Sequence, residues 1–115
     1  MSDCIFCKIV KGEIPATILF ENDKVVAFKD INPEAPSHLL IIPKKHIASM
    51  VHATEEDIRE IIPEIFKVIQ HLAEEFGMTQ EGYRIVNNCG KLGGQTVGHL
   101  HFHLLGGRQM LWPPG

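Results

Sequence analysis

Residues 99–105 read His-Leu-His-Phe-His-Leu-Leu, imidazole alternating with a large apolar side chain. Period two is the pattern of a β-strand with one buried face. Such a strand sends Leu100, Phe102 and Leu104 into a core and lines His99, His101 and His103 along the opposite face. Alternate Cα atoms in a strand lie roughly 6.6 Å apart, too far for three rings to act at one point but near enough for neighbours to share a substrate. Three of the chain's seven histidines fall in these five positions, so chance explains them poorly. The plainer readings of the same residues are a histidine-rich polar sheet face or an opportunistic metal patch.

The other elements follow from periodicity and punctuation. Residues 4–11 read as a short helix stopped by Gly12, and Asn22-Asp23 joins strands at 18–21 and 25–28 into a hairpin. Residues 38–42 are a strongly apolar strand, and 83–87 another. Thr54 with Asp57 three residues on marks a helix start, and apolar residues from Ile58 to Phe76 recur at threes and fours. Pro63 falls inside that pattern and removes a hydrogen bond to the Arg59 carbonyl, so one long helix bent near 59–63 is expected. A glycine-rich loop, 88–98, leads into the histidine strand, and an extended tail follows Gly106-Gly107. The order predicts an α+β fold, its antiparallel five-stranded sheet covered on one face by the long helix.

The 115 residues suit one domain, 1–115, and can bury a real core. A net charge of -3 argues against coating nucleic acid or anionic membrane by bulk electrostatics. No apolar run spans a bilayer, no signal-peptide pattern opens the chain, and the cytoplasm is the expected location. Three cysteines, two of them in Cys4-Ile5-Phe6-Cys7, suit a reducing compartment and metal rather than a disulfide framework. A lone Cys-x-x-Cys is weak: two small residues on a short helix look the same.

Residues 99–105 match in full the His-φ-His-φ-His-φ-φ signature, with φ apolar, and the chain resembles the histidine triad (HIT) family. The likeness extends through Cys4–Ile9, Phe28–Pro33, Pro36–His38, Ile42–His46 and Gly93–Val97. The ending Leu105–Met110, followed by Trp112-Pro113-Pro114-Gly115, resembles the Hint branch specifically. The resemblance implies a homodimer with a continuous sheet that binds purine nucleoside phosphates. It also implies hydrolysis of nucleoside 5′-phosphoramidates to the monophosphate and an amine.

By the same resemblance His101 is the nucleophile, forming a covalent nucleotidyl-histidine that water later cleaves. A backbone carbonyl would fix one ring nitrogen as donor, leaving the other its lone pair. His103 would contact the phosphate and support transition-state charge. Thr96 stands where the family typically carries serine and would help protonate the leaving amine. Gln95 and Asn88 match phosphate-contacting positions, Asp30 the residue that accepts from the ribose hydroxyls, and Ile31 the wall of the base pocket. His38 would support the triad from behind. Read locally, Asp30 is equally a turn residue before Asn32-Pro33, and His38 a satisfied buried histidine. The resemblance further implies a structural zinc held by Cys4, Cys7, His46 and His99, leaving His101 free for chemistry.

Cys89 has no partner in sequence, His52 and His71 lie outside any constellation, and Lys44-Lys45 reads as a solvated turn or a phosphate-steering pair. Trp112 either packs the tail or stacks near a neighbouring subunit's site, and Leu111 replaces a histidine frequent in the family. Two other functions compete: Fhit-like cleavage of diadenosine polyphosphates, and a nucleotide-binding or scaffold module with incidental hydrolysis.

Overall fold

A computed structural model describes residues 3–115. Chain order is α1 (Ile5–Val10), β1 (Ile18–Glu21), β2 (Val25–Lys29), β3 (Ser37–Pro43), α2 (Glu55–Glu60), α3 (Ile62–Glu75), β4 (Tyr83–Val86) and β5 (Phe102–Gly106). The strands form one antiparallel sheet in the order β1-β2-β3-β5-β4.

The hairpin turn is held by Asn22, whose Oδ1 accepts the N–H groups of Lys24 (2.8 Å) and Val25 (2.9 Å). β2 and β3 are the apolar runs Val-Val-Ala-Phe and Leu-Leu-Ile-Ile. Both are buried on both faces, as central strands are. One face packs its Val25, Ala27, Leu39, Ile41, Phe102 and Leu104 against α3.

The expected single bent helix is two segments meeting at Ile61, with Pro63 in the first turn of the second. Proline is tolerated there because the first N–H groups of a helix have no partner inside it. α2 carries the predicted capping box: Thr54 Oγ1 accepts from Asp57 N–H and Asp57 Oδ2 from Thr54 N–H, each at 3.0 Å. α3 ends where Gly77 turns to φ +70°, the left-handed conformation that costs glycine least.

Two expectations about the sheet change. First, the face opposite α3 is not left open. α1 lays Phe6 on a second apolar cluster with Val26, Phe28, Leu40 and Ile42. Second, the histidine strand begins only at Phe102. Further upstream, the partner position across β3 is Pro43, which has no N–H to give. Leu100 N–H instead reaches the Ile47 carbonyl, at 2.6 Å, and the Pro43 carbonyl is taken by the His99 ring. The alternation itself holds, with Leu100, Phe102 and Leu104 all in the helix-side core.

Candidate functional site

A cleft of about 460 Å³ opens on the α1 side of the sheet. Ile9, Phe28, Ile31 and Val97 line an apolar part of it, and Asp30, His38, Thr96, His101 and His103 supply polar groups. That size and mixture suit a small organic ligand with an apolar part and a polar end.

The proton on each ring of the histidine row can be traced from its fixed partners. A backbone carbonyl only accepts, so His101 Nδ1 donates to the His99 carbonyl (2.7 Å), and the neutral ring keeps its lone pair on Nε2. A backbone N–H only donates, so His38 Nδ1 accepts from Glu34 N–H (3.0 Å) and the His38 proton sits on Nε2. From there it is donated to His103 Nδ1 at 2.9 Å, which leaves His103 Nε2 as the protonated nitrogen. The two neighbouring rings lining the cleft, centroids 5.1 Å apart, thus carry opposite functions: a lone pair on His101 and a donor on His103.

Burial keeps the His38 and His103 rings neutral. It pushes His38 below its ordinary value against the pull of Asp30 and Glu34. Burial first, then the proximity of His101 and His38, lowers His103 to about 4. A proton-detected titration of His103 should therefore show a midpoint near 4, and a midpoint at 6.5 would contradict this account. The unfolded chain binds this proton first, so the contribution to stability declines as pH falls from 6.5 to about 4.

A second cluster lies beside the first. Donor atoms of Cys4, Cys7, His46 and His99 lie within 4.8 Å of one another. Cys7 Sγ is 3.2 Å from His46 Nδ1 and 3.6 Å from His99 Nδ1, and Cys4 Sγ is 3.3 Å from His99 Nδ1. Tetrahedral zinc with its usual bond lengths sets sulfur and nitrogen about 3.6 Å apart, so the set is of metal-site size. His99 Nε2 donates to the Pro43 carbonyl at 2.9 Å, turning the Nδ1 lone pair toward the thiols. His99 is fully buried and His101 is 4% exposed. The row is thus largely covered, with His103 half-buried.

The structure distributes the remaining candidates unevenly. Asp30 Oδ1 accepts from Asn32 N–H at 2.8 Å, so it serves the turn and also faces His38, with Oδ2 3.4 Å from His38 Nε2. Ile31 lines the cleft at 86% exposure. Thr96 is exposed at the mouth. Gln95 is committed elsewhere: its amide donates to the carbonyls of Ala48 (2.8 Å) and Val97 (2.9 Å) and accepts from Gly90 N–H. Phosphate contact by its amide hydrogens requires breaking those bonds. Asn88 pins the glycine loop through the Gly93 carbonyl, at 2.8 Å. Gly93 itself is required there, because a Cβ would stand 2.3 Å from the Cys89 carbonyl oxygen.

The asparagine that reaches the histidine row is Asn87, donating to the His101 carbonyl at 3.0 Å. Sequence reading passed over it, and also over Phe6. The Phe6 ring lies edge-on to His101 (5.1 Å) and His99 (5.9 Å), and its place between the two cysteines was the available signal. Lys45 is not merely solvated but bonds buried Asp57 at 2.7 Å, and Lys44 pairs with Glu21 at 2.8 Å. Trp112 is 81% exposed, so it does not pack the tail onto this chain.

A family model described as HIT domain matches residues 11–110. The chain is 50% identical to an uncharacterised HIT-like protein of Synechococcus elongatus, across 98% of this chain and 97% of that one. It is also 50% identical to a 14 kDa zinc-binding protein of Zea mays, across 99% and 89%. Among solved structures, a HIT family hydrolase from Legionella pneumophila superposes with a TM-score of 0.95 at 53% identity, covering 98% of this chain and 100% of that chain. A histidine triad protein from Clostridium difficile gives 0.92 at 48%, covering 96% of each.

Proposed function

The chain belongs to the HIT domain family, and from that premise we propose that it hydrolyses the P–N bond of purine nucleoside 5′-phosphoramidates through a nucleotidyl-His101 intermediate. The observation that carries this reading is the 2.7 Å bond from His101 Nδ1 to the His99 carbonyl. It presents a neutral nucleophilic nitrogen beside the His103 donor, the pair that in-line displacement at phosphorus requires. His101 Nε2 attacks phosphorus as the P–N bond breaks, and the departing amine takes a proton by way of the Thr96 hydroxyl. Water then attacks phosphorus, returns a proton to Thr96, and frees His101 with the nucleoside monophosphate. Asp30 holds the ribose, Ile31 walls the base, and His103 donates to a phosphoryl oxygen throughout.

Cys4, Cys7, His46 and His99 hold zinc in this reading, supported by their spacing and by their thiol and imidazole chemistry. A four-ligand site leaves no open position for catalysis, so the ion's contribution is to staple α1 to the segment that carries His101. The edge strand β4, with Tyr83 and Ile85 exposed at 39% and 36%, is the surface on which a second copy would extend the sheet. No helix among the described residues is long and apolar enough to cross a membrane. Thiols held for metal suit the cytoplasm, where we place the activity.

The test is product analysis with two substrates, adenosine 5′-phosphoramidate and a diadenosine polyphosphate. Release of adenosine monophosphate and ammonia from the first, far faster than any cleavage of the second, is expected. Preference for the dinucleotide would move the chain to the polyphosphate-cleaving branch.

A further inference from the structure

The proton on His38 Nε2 is hydrogen-bonded to His103 and has the Asp30 carboxylate as a nearby second acceptor. His38 Nε2–H stands 2.9 Å from His103 Nδ1 and 3.4 Å from Asp30 Oδ2. The N–H lies in the ring plane and is directed at His103, so a tilt of the His38 ring is what brings it to the carboxylate, and it cannot leave its nitrogen for Nδ1, which accepts from Glu34 N–H. The closer acceptor is neutral and the farther one is an anion, and ionised acceptors make the stronger hydrogen bonds. Which acceptor wins depends on how well the carboxylate is satisfied by other donors. One of its oxygens already accepts from Asn32 N–H.

Resting on the proposed placement of ribose at Asp30, we infer that the ribose diol sets the state of His103, so that sugar recognition reaches the phosphorus chemistry through His38. Two hydroxyls donating to Asp30 weaken its claim on the His38 proton. The proton then bonds fully to His103 Nδ1 and locks His103 as an Nε2–H donor toward phosphate. A sugar lacking both hydroxyls covers Asp30 and excludes water without supplying donors. Asp30 then draws the His38 proton away, and His103 loses the bond that fixes its tautomer. Asp30 and His38 are positioning residues here, since neither touches the reacting atoms.

The experiment compares adenosine 5′-phosphoramidate with its 2′,3′-dideoxy analogue. Single-turnover cleavage rates at saturation are read separately from binding, and ring-nitrogen NMR of His103 is recorded with each monophosphate product bound. Weaker binding of the dideoxy compound is expected, together with a saturated cleavage rate lower by about five- to tenfold, the step between a neutral and a charge-assisted bond. His103 should show one tautomer with the ribonucleotide and a mixture with the dideoxy product. In Asp30→Asn, whose amide is a weaker rival acceptor, the rate gap between the substrates should close to within about twofold. Weaker binding with an unchanged saturated rate would overturn the coupling and leave ribose at Asp30. Unchanged binding and rate would remove ribose from Asp30 and the coupling with it.

Discussion

Phosphoramidate cleavage should fall by at least about a thousandfold when His101 is replaced by alanine, since removing the proposed covalent nucleophile removes the pathway rather than tuning it. Nucleotide binding should persist in that variant, because Asp30, Ile31 and the apolar wall are untouched. The imidazole lies buried against Phe6, so its loss opens a small cavity costing about 1–3 kcal/mol. Circular dichroism and metal content measured beside turnover distinguish lost chemistry from lost structure. His101→Gln, which fills more of the space, should be better folded and equally inactive. Acid-quenched wild-type enzyme should carry the nucleotide on the peptide containing residues 99–105. A fully active alanine variant, or a label mapped to another side chain, overturns the proposed mechanism. Unaltered function in cells with no turnover would favour the binding-module alternative.

Removal of zinc should be the second large effect. A ligand present at roughly a thousand times its dissociation constant stabilises the fold by about 4 kcal/mol. For a domain of this size that corresponds to a melting temperature about 15 °C higher. Chelation should lower the melting point by that order, and added zinc should restore it. Burial, and then the neighbouring Cys4, push the Cys7 thiol above its ordinary value, so binding must displace protons and weaken as pH falls. Cys7→Ser should reproduce the loss without chelator. A metal assay on fresh protein that finds no zinc, with a melting point indifferent to chelation, removes the ion from this account. The sheet and its α3-side core do not depend on the cluster, so the stripped protein should stay folded there and lose α1 docking. Phe6 leaves with α1, and the His101 ring loses its edge-on neighbour.

Much of this fold is legible because its signals are local. Asn22 needs only its own two following N–H groups to make the hairpin, and the Thr54–Asp57 box closes within one helical turn. The helix period likewise reports which residues meet the sheet, whatever happens at Pro63. What sequence does not disclose is mostly backbone. Glu34 fixes the His38 tautomer through its N–H, a group every residue but proline owns. The start of β5 is set across the sheet by Pro43, some sixty residues distant in chain order. Asn87 and Asn88 are indistinguishable by type, and only the strand's end at Val86 decides which one faces the histidine row. Gln95 is the opposite case, a polar side chain near the site whose amide hydrogens are given to the Val97 and Ala48 carbonyls.

His99 contributes its ring to the cysteines and its carbonyl to His101, the proposed nucleophile, two positions on. The two sites therefore share a reading frame. Deleting the one residue between them would rotate His101 into the space now held by Leu100 and put Phe102 in its place, and inserting one would put Leu100 there. Lineages descended from this gene can vary the composition of the stretch far more freely than its length.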